Sequence, residues 1–109
     1  MLPSLPKCKI NDDFDVDFEN KSVCFILEHG VDKALCYIKA DLKVEKFDCC
    51  QNGDYQNVAE VEFKFLQVSD TEVTVDQSDF GIQSNQKIEL TESQINDLNE
   101  KLKDEMVRV

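Results

Sequence analysis

The sequence has few of the residues that build tight ligand-binding loops and catalytic centres. It contains three glycines, two prolines, one histidine and no tryptophan. Isolated glycines cannot form a glycine-rich phosphate-binding loop, and so little proline excludes a proline-rich or collagen-like chain. The Gly-x-Ser-x-Gly and His-Glu-x-x-His motifs of hydrolases are also missing. We therefore expect a protein that is not an enzyme and that uses no cofactor.

Long apolar runs are missing as well. The longest, Val23–Leu27, is far shorter than the ~20 residues that a membrane-spanning helix needs. The first seven residues have neither the charged nor the apolar region of a secretory signal. We expect no membrane contact and a cytoplasmic protein.

Positive charge is scarce. The chain has 12 basic residues, of which only Arg108 is an arginine, against 23 acids, and its net charge is −11. Direct nucleic-acid binding is not expected, because phosphate contacts need a lysine- and arginine-rich surface. The natural complement is a basic surface on another protein. The alternative is an acidic surface that serves only solubility.

The cysteine count is odd, and no oxidising compartment is indicated, so we expect reduced thiols that act as small core residues. Adjacent residues in a strand point to opposite faces, and Cys49 and Cys50 are therefore poor partners for one metal ion. No metal site is expected. A thiol site formed by Cys49 and Cys50 near His29 stays open as an alternative. The five cysteines are Cys8, Cys24, Cys36, Cys49 and Cys50.

What the sequence does contain is alternation of apolar and polar residues, the period of half-buried strands. It predicts one α+β domain over 1–109, an antiparallel sheet of about five strands with one amphipathic C-terminal helix packed on it. Residues 1–11 are expected to be an arm, 12–90 the sheet and 91–107 the helix. Phe14–Phe18 and Val23–Glu28 are predicted to form a hairpin.

The later strands are predicted in the same way. Residues 34–47 favour one long strand that carries Cys36, Ile38, Ala40, Leu42 and Val44 on one face, although 32–42 could be helical. Cys49–Asn57 is expected to be a loop that turns at Asn52-Gly53. A strand over Ala59–Phe65 is followed by a short antiparallel return over 72–75. Residues 76–87 are then expected to form a long loop anchored by Phe80, Gly81 and Ile82.

The helix from Thr91 to about Val107 has the most specific local signals. Thr91 and Gln94 fit a capping box, in which each side chain bonds the other residue's backbone N–H. Helical spacing makes one apolar stripe of Ile95, Leu98, Leu102 and Met106. We expect the stripe to cover the sheet, and a docking interface is the alternative. The residues expected beneath it are Val61, Phe63, Phe65, Ile26 and Ile38.

Acids on one strand face are the clearest candidate functional feature. Alternation places four of them on one side of the first strand at a spacing of about 6.6–7 Å, which resembles the spacing of phosphates along a nucleic-acid strand. The cluster lacks the glycine and spacing of a calcium-binding loop. A solvated outer face is again the alternative. The candidate partner-binding residues are Asp13, Asp15, Asp17 and Glu19, with Glu60 and Glu62 on a later strand.

Two segments, Ala59-Glu60-Val61-Glu62-Phe63 and Leu90-Thr91-Glu92-Ser93-Gln94-Ile95, carry a resemblance of style over about residues 40–106. The chain resembles small acidic proteins encoded by bacteriophages and prophages, among them anti-restriction and anti-CRISPR inhibitors. This resemblance implies a binding protein in the host cytoplasm that blocks a basic, nucleic-acid-binding surface of a defence protein. The alternative is an assembly protein that associates through its C-terminal helix. The oligomeric state stays open.

Overall fold

A computed structural model describes residues 2–50 and 58–109, with residues 49, 50, 58 and 59 described by backbone alone. It has an α+β fold, as expected from the sequence, but with two antiparallel sheets in place of one. The strand order is β1-β2-β3-β6-β7 in the larger sheet and β4-β5-β8 in the smaller. The elements are β1 (Lys9–Asp17), β2 (Ser22–His29), β3 (Asp32–Lys39), β4 (Asp41–Cys50), β5 (Val58–Gln67), β6 (Glu72–Ser78), β7 (Gln86–Glu89), α1 (Glu92–Lys103) and β8 (Val107–Arg108).

The first three strands form a meander, and the predicted hairpin of β1 and β2 is confirmed. Alternation in β2 buries Val23, Phe25 and Leu27 completely on the core face. A two-residue turn connects β2 to β3, and Gly30 in that turn has φ +64°, a left-handed conformation that glycine adopts without strain.

Residues 34–47 are two strands rather than the predicted single strand. The backbone N–H of Ala40 donates to the carbonyl of Lys21 at 2.9 Å, and beyond it the chain leaves the larger sheet to begin β4. Cys36 and Ile38 are buried, whereas Leu42 and Val44 are 40% and 53% exposed. Alternation continues across the break because both strands have period 2, so the pattern does not reveal that the sheet changes.

The predicted strand over Ala59–Phe65 lies within β5, but the segment after it does not return along it. Residues 68–71 carry the chain from one sheet to the other, and β6 pairs with β3 and β7. The predicted loop over 76–87 is shorter, because β6 extends to Ser78 and β7 begins at Gln86. Phe80 and Ile82 pack against the core as expected. The predicted turn at 52–53 lies outside the described residues.

The helix begins as predicted and ends early. Thr91 is its N-cap, and both hydrogen bonds of the capping box with Gln94 are present. The helix ends at Lys103 rather than near Val107, and Val107–Arg108 pairs with β5 instead. Met106 therefore lies outside the helix and is 37% exposed.

The main core lies between α1 and the inner face of the larger sheet. Leu98 and Leu102 are buried there, and α1 contacts β1 and β5. Ile38 belongs to this core. Ile26, which was expected beneath the helix, lies on the opposite face because its neighbours Phe25 and Leu27 face inward.

The segment over residues 1–11, expected to be an arm, is tied to the fold. β1 begins at Lys9, and Cys8 and Ile10 are buried. The buried side chain of Gln94 donates from Nε2 to the carbonyl oxygens of Leu5 and Cys8 at 2.7 and 3.0 Å. A helix side chain thus satisfies backbone groups ahead of the first strand, a long-range contact that local patterns do not encode.

The molecule is elongated. Its radius of gyration is 17.0 Å and its longest dimension is 59 Å, whereas a compact domain of this length has a radius near 13 Å. The strands β4 and β5 pair over ten residues each, and residues 41–48 are all exposed. The two strands therefore form a ribbon that projects from the core.

Candidate protein-docking face

The face of the larger sheet opposite the core carries an apolar patch that the helix does not cover. The patch consists of Cys24 and Ile26 on β2 with Leu35 and Tyr37 on β3, and we call it the outer patch. Cys24 lies opposite Tyr37 and Ile26 opposite Leu35 in the strand register, so the four side chains are neighbours. Tyr37 is 44% exposed and the other three are half-buried.

Three predicted acids of β1 lie at the border of the outer patch. Phe14 and Val16 are paired with core residues of β2 and therefore face inward, which turns Asp15 and Asp17 outward. Asp15 lies directly opposite Cys24. Asp13 lies in an irregularity of β1 between Ile10 and Phe14, where the register shifts. All three acids are exposed.

A depression of about 380 Å³ joins the acids to the outer patch. Its polar wall comes from β1 and from the segment after α1, and its apolar wall from β2 and β3. The surface thus combines negative charge with an apolar floor, the composition of a protein-docking surface with a polar rim. The lining residues are Asp12, Asp13, Phe14, Asp15, Cys24, Ile26, Leu35 and Glu105.

The Asp17 carboxylate stabilises the turn after β1, a role that the sequence did not indicate. It accepts hydrogen bonds from the backbone N–H of Asn20 at 3.0 Å and from the Asn20 side-chain amide at 2.8 Å. These bonds, the backbone bond first, lower the pKa of Asp17 below its ordinary value. Glu19 lies in the turn that Asp17 closes, outside β1, so the structure does not place it in line with the strand acids.

Asp12 is held by an ion pair. Its carboxylate accepts from Nζ of Lys101 at 2.8 Å, and this hydrogen bond and the lysine charge lower the pKa of Asp12. The contact joins β1 to the last turn of α1. It leaves Asp13, Asp15 and Glu105 as the acids of the depression that have no ion pair among the described residues.

Glu60 and Glu62 do not join the β1 acids. Both are on β5 in the smaller sheet, opposite Asp48 and Lys46. Glu62 makes an ion pair with Lys46 at 3.6 Å. Of the six predicted acids, the structure brings Asp13 and Asp15, with Asp17 beside them, to one surface.

The outer patch was not predicted, although the sequence carries a signal for it. Residues 23–27 form an unbroken apolar run, and such runs are typical of strands that have apolar surroundings on both faces. Val23, Phe25 and Leu27 account for the core side only. The run also contains Cys24 and Ile26, which alternation places on the opposite face of the strand. These two residues therefore indicate a second apolar surface.

The alternative interface on the helix is not presented to solvent. Leu98 and Leu102 are buried in the core, and Ile95 is half-buried against it. Met106 lies beyond the helix, beside Phe47 and Phe63. Ile95, Leu98 and Leu102 therefore cover the sheet, as expected from their spacing, whereas Met106 does not.

Two of the thiols whose side chains are described, Cys8 and Cys36, are core residues as expected, whereas Cys24 lies in the outer patch. Cys8 and Cys36 are buried and Cys24 is half-buried, and all three are free. Burial raises the pKa of each, and that of Cys36 to about 12, so they are not activated nucleophiles. Within residues 2–48 and 60–109, no group of three or more histidine, cysteine or acidic side chains could hold a metal ion. His29 is exposed, and the side chains of Cys49 and Cys50 lie outside the described residues.

No described helix has both the length and the apolar character needed to cross a membrane. No family model, curated protein or solved structure matches this chain.

Proposed function

We propose that this chain is a non-catalytic binding protein whose outer patch and bordering acids dock on a basic, nucleic-acid-binding surface of another protein. The observation that carries the proposal is the uncovered sheet face on which Asp13 and Asp15 line one depression with Cys24, Ile26 and Leu35, with Tyr37 opposite Cys24 in the strand register. The resemblance to small acidic phage proteins supports a defence protein of the host cell as the partner, with inhibition as the outcome.

Charge supports a basic partner. A net charge of −11 repels nucleic acid and attracts the lysine- and arginine-rich surfaces that bind it. Complementary charge raises the association rate, and added salt lowers that rate by screening. Asp13 and Asp15 line the depression and have no ion pair among the described residues, so they are placed to contribute.

The outer patch supports docking rather than charge attraction alone. Buried apolar and aromatic side chains contribute most of the binding energy at protein interfaces, and tyrosine is common among them. Tyr37 is 44% exposed on the open face of the sheet. It lies opposite Cys24, and Cys24 lies opposite Asp15 on its other side. Tyr37 can therefore be covered by a partner that also contacts the acids of β1.

Affinity capture from a bacterial lysate at low salt tests the proposal. The wild type is compared with Asp13→Asn/Asp15→Asn and with Glu60→Gln/Glu62→Gln, which removes the same charge from the other sheet. Nucleic-acid-binding proteins retained by the wild type and by the Glu60/Glu62 variant, and lost from the β1 variant, are the expected result. Recovery of no such protein, or equal loss from both variants, contradicts it.

A further inference from the structure

The strand β4 is an exposed edge of the smaller sheet. It pairs with β5 on one side, and no described residue pairs with its other side. Its pairing with β5 runs from Asp41 to Cys50 without a shift in register, and residues 41–48 are all exposed. An edge of this length offers a row of backbone donors and acceptors to another strand.

We propose that this edge pairs with β4 of a second copy of the chain, in antiparallel register with Val44 at the two-fold axis. Two-fold symmetry requires that a residue on one face of the sheet lies opposite a residue from the same face of the other copy. The axis therefore passes through a single residue position, and each choice of that position fixes every facing pair.

The charges of β4 select among these registers. Centring on Lys43, Glu45 or Lys46 places each of those charges opposite itself, and like charges directly opposite one another destabilise a sheet. Centring on Val44 places Lys43 opposite Glu45 of the second copy, twice over by symmetry. It also places Leu42 opposite Lys46, whose aliphatic stem can cover it.

Two other registers centred within residues 41–48 avoid like charges. With Leu42 at the axis, Asp41 lies opposite Lys43, but only residues 41–43 of β4 can then pair, because β4 begins at Asp41, and Asp41 already accepts a hydrogen bond from Ser69.

With Phe47 at the axis, Lys46 lies opposite Asp48. Phe47 already packs edge-to-face on Phe63, with ring centroids 5.7 Å apart, and Lys46 already pairs with Glu62. In the Val44 register the charges that meet are Lys43 and Glu45, which have no ion pair among the described residues. Val44, at 53%, also has a larger exposed fraction than Phe47 at 40%.

Charge exchange at Lys43 and Glu45 tests the proposal, with sedimentation velocity over a wide range of concentration as the readout. The wild type should form dimers. Lys43→Glu and Glu45→Lys each create two like-charge pairs and should weaken the dimer about tenfold or more. The double variant Lys43→Glu/Glu45→Lys restores opposite charges and should dimerise again. An equimolar mixture of the two single variants should form the heterodimer, because each supplies the charge that the other lacks.

Lys7→Glu and Glu100→Lys make the same charge changes at exposed positions away from β4 and should leave the dimer unchanged. Circular dichroism verifies that each variant is folded. A wild type that stays monomeric at the highest concentration overturns the proposal, as does a dimer that neither single variant weakens. The Val44 register is ruled out if the two single variants fail to associate when they are mixed. It is also ruled out if only the exchange of Lys46 and Asp48 restores association.

Discussion

The side chain of Asn99 and the backbone of Val68 form a closed pair of hydrogen bonds. Oδ1 of Asn99 accepts from the N–H of Val68 at 2.8 Å, and Nδ2 donates to its carbonyl at 2.9 Å. Val68 follows β5 and is buried, so the helix supplies partners to the backbone where the chain passes from one sheet to the other.

Replacing Asn99 by alanine should destabilise the fold by about 1–3 kcal/mol, because it leaves a buried donor and acceptor without partners. Urea unfolding measures the change in the free energy of unfolding. Asn96→Ala, an exposed position on the same helix, is the matched control and should change stability by about 0.5 kcal/mol or less. Equal losses from both variants would show that the bonds to Val68 contribute nothing specific.

Leu98→Ala should cost roughly 2–5 kcal/mol of stability, because Leu98 is fully buried and its truncation leaves a cavity. Met106→Ala should cost much less, since Met106 lies outside the helix and is partly exposed. Thermal or urea unfolding compares the two. A small loss from Leu98→Ala would mean that the helix stripe is not the cover of the sheet.

Local chemistry explains why the start of α1 was predictable from the sequence and its end was not. Thr91 and Gln94 act through bonds to each other's backbone, and four residues suffice to encode them. Met106 keeps the helical spacing of the stripe, so the apolar pattern did not indicate that the helix ends before it. The helix ends because Val107 and Arg108 pair with β5. The local sequence pattern carries no information about pairing with a distant strand.

The division into two sheets could not be predicted from the sequence for a similar reason. Alternation over 34–47 reports which side chains share a face, and it is the same whether β3 and β4 share a sheet or not. For the candidate site, alternation correctly turned Asp15 and Asp17 outward. It could not show that Glu60 and Glu62 belong to another sheet, because strand pairing between distant segments depends on the whole fold.

Acid should remove the contribution of Asp17 to stability. Its pKa in the folded state lies below the ordinary value of 3.8, so the charged form stabilises the fold above about pH 4, and this is lost as the pH falls through the folded pKa. Wild type should therefore exceed Asp17→Asn in stability at pH 6, and the difference should shrink towards pH 2. Urea unfolding across this range measures it.

Asp15→Asn is the matched control for this pH series, because no described residue donates a hydrogen bond to the Asp15 carboxylate. Its stability difference from wild type should change less with pH than that of Asp17→Asn. A difference for Asp17→Asn that is the same at pH 6 and pH 2 would contradict a role for the charged carboxylate in the turn.

Thiol labelling should follow burial. Cys36 is fully buried and its pKa is raised to about 12, so it holds almost no thiolate at neutral pH. Among Cys8, Cys24 and Cys36, the half-buried Cys24 should react first with iodoacetamide and Cys36 last, as measured by peptide mass spectrometry. Labelling of Cys36 in the folded protein as fast as in urea would contradict its position in the core.

If the acids of β1 and the outer patch form the docking face for basic partners, as we propose, a lysine- and arginine-rich peptide should bind there. A titration of ¹⁵N-labelled protein with such a peptide at low salt, followed by amide chemical shifts, measures where it binds. We expect the largest changes around Asp13, Asp15 and Tyr37, and their disappearance when salt is added. Largest changes around Glu60 and Glu62, or equal changes over the whole acidic surface, would contradict the proposal.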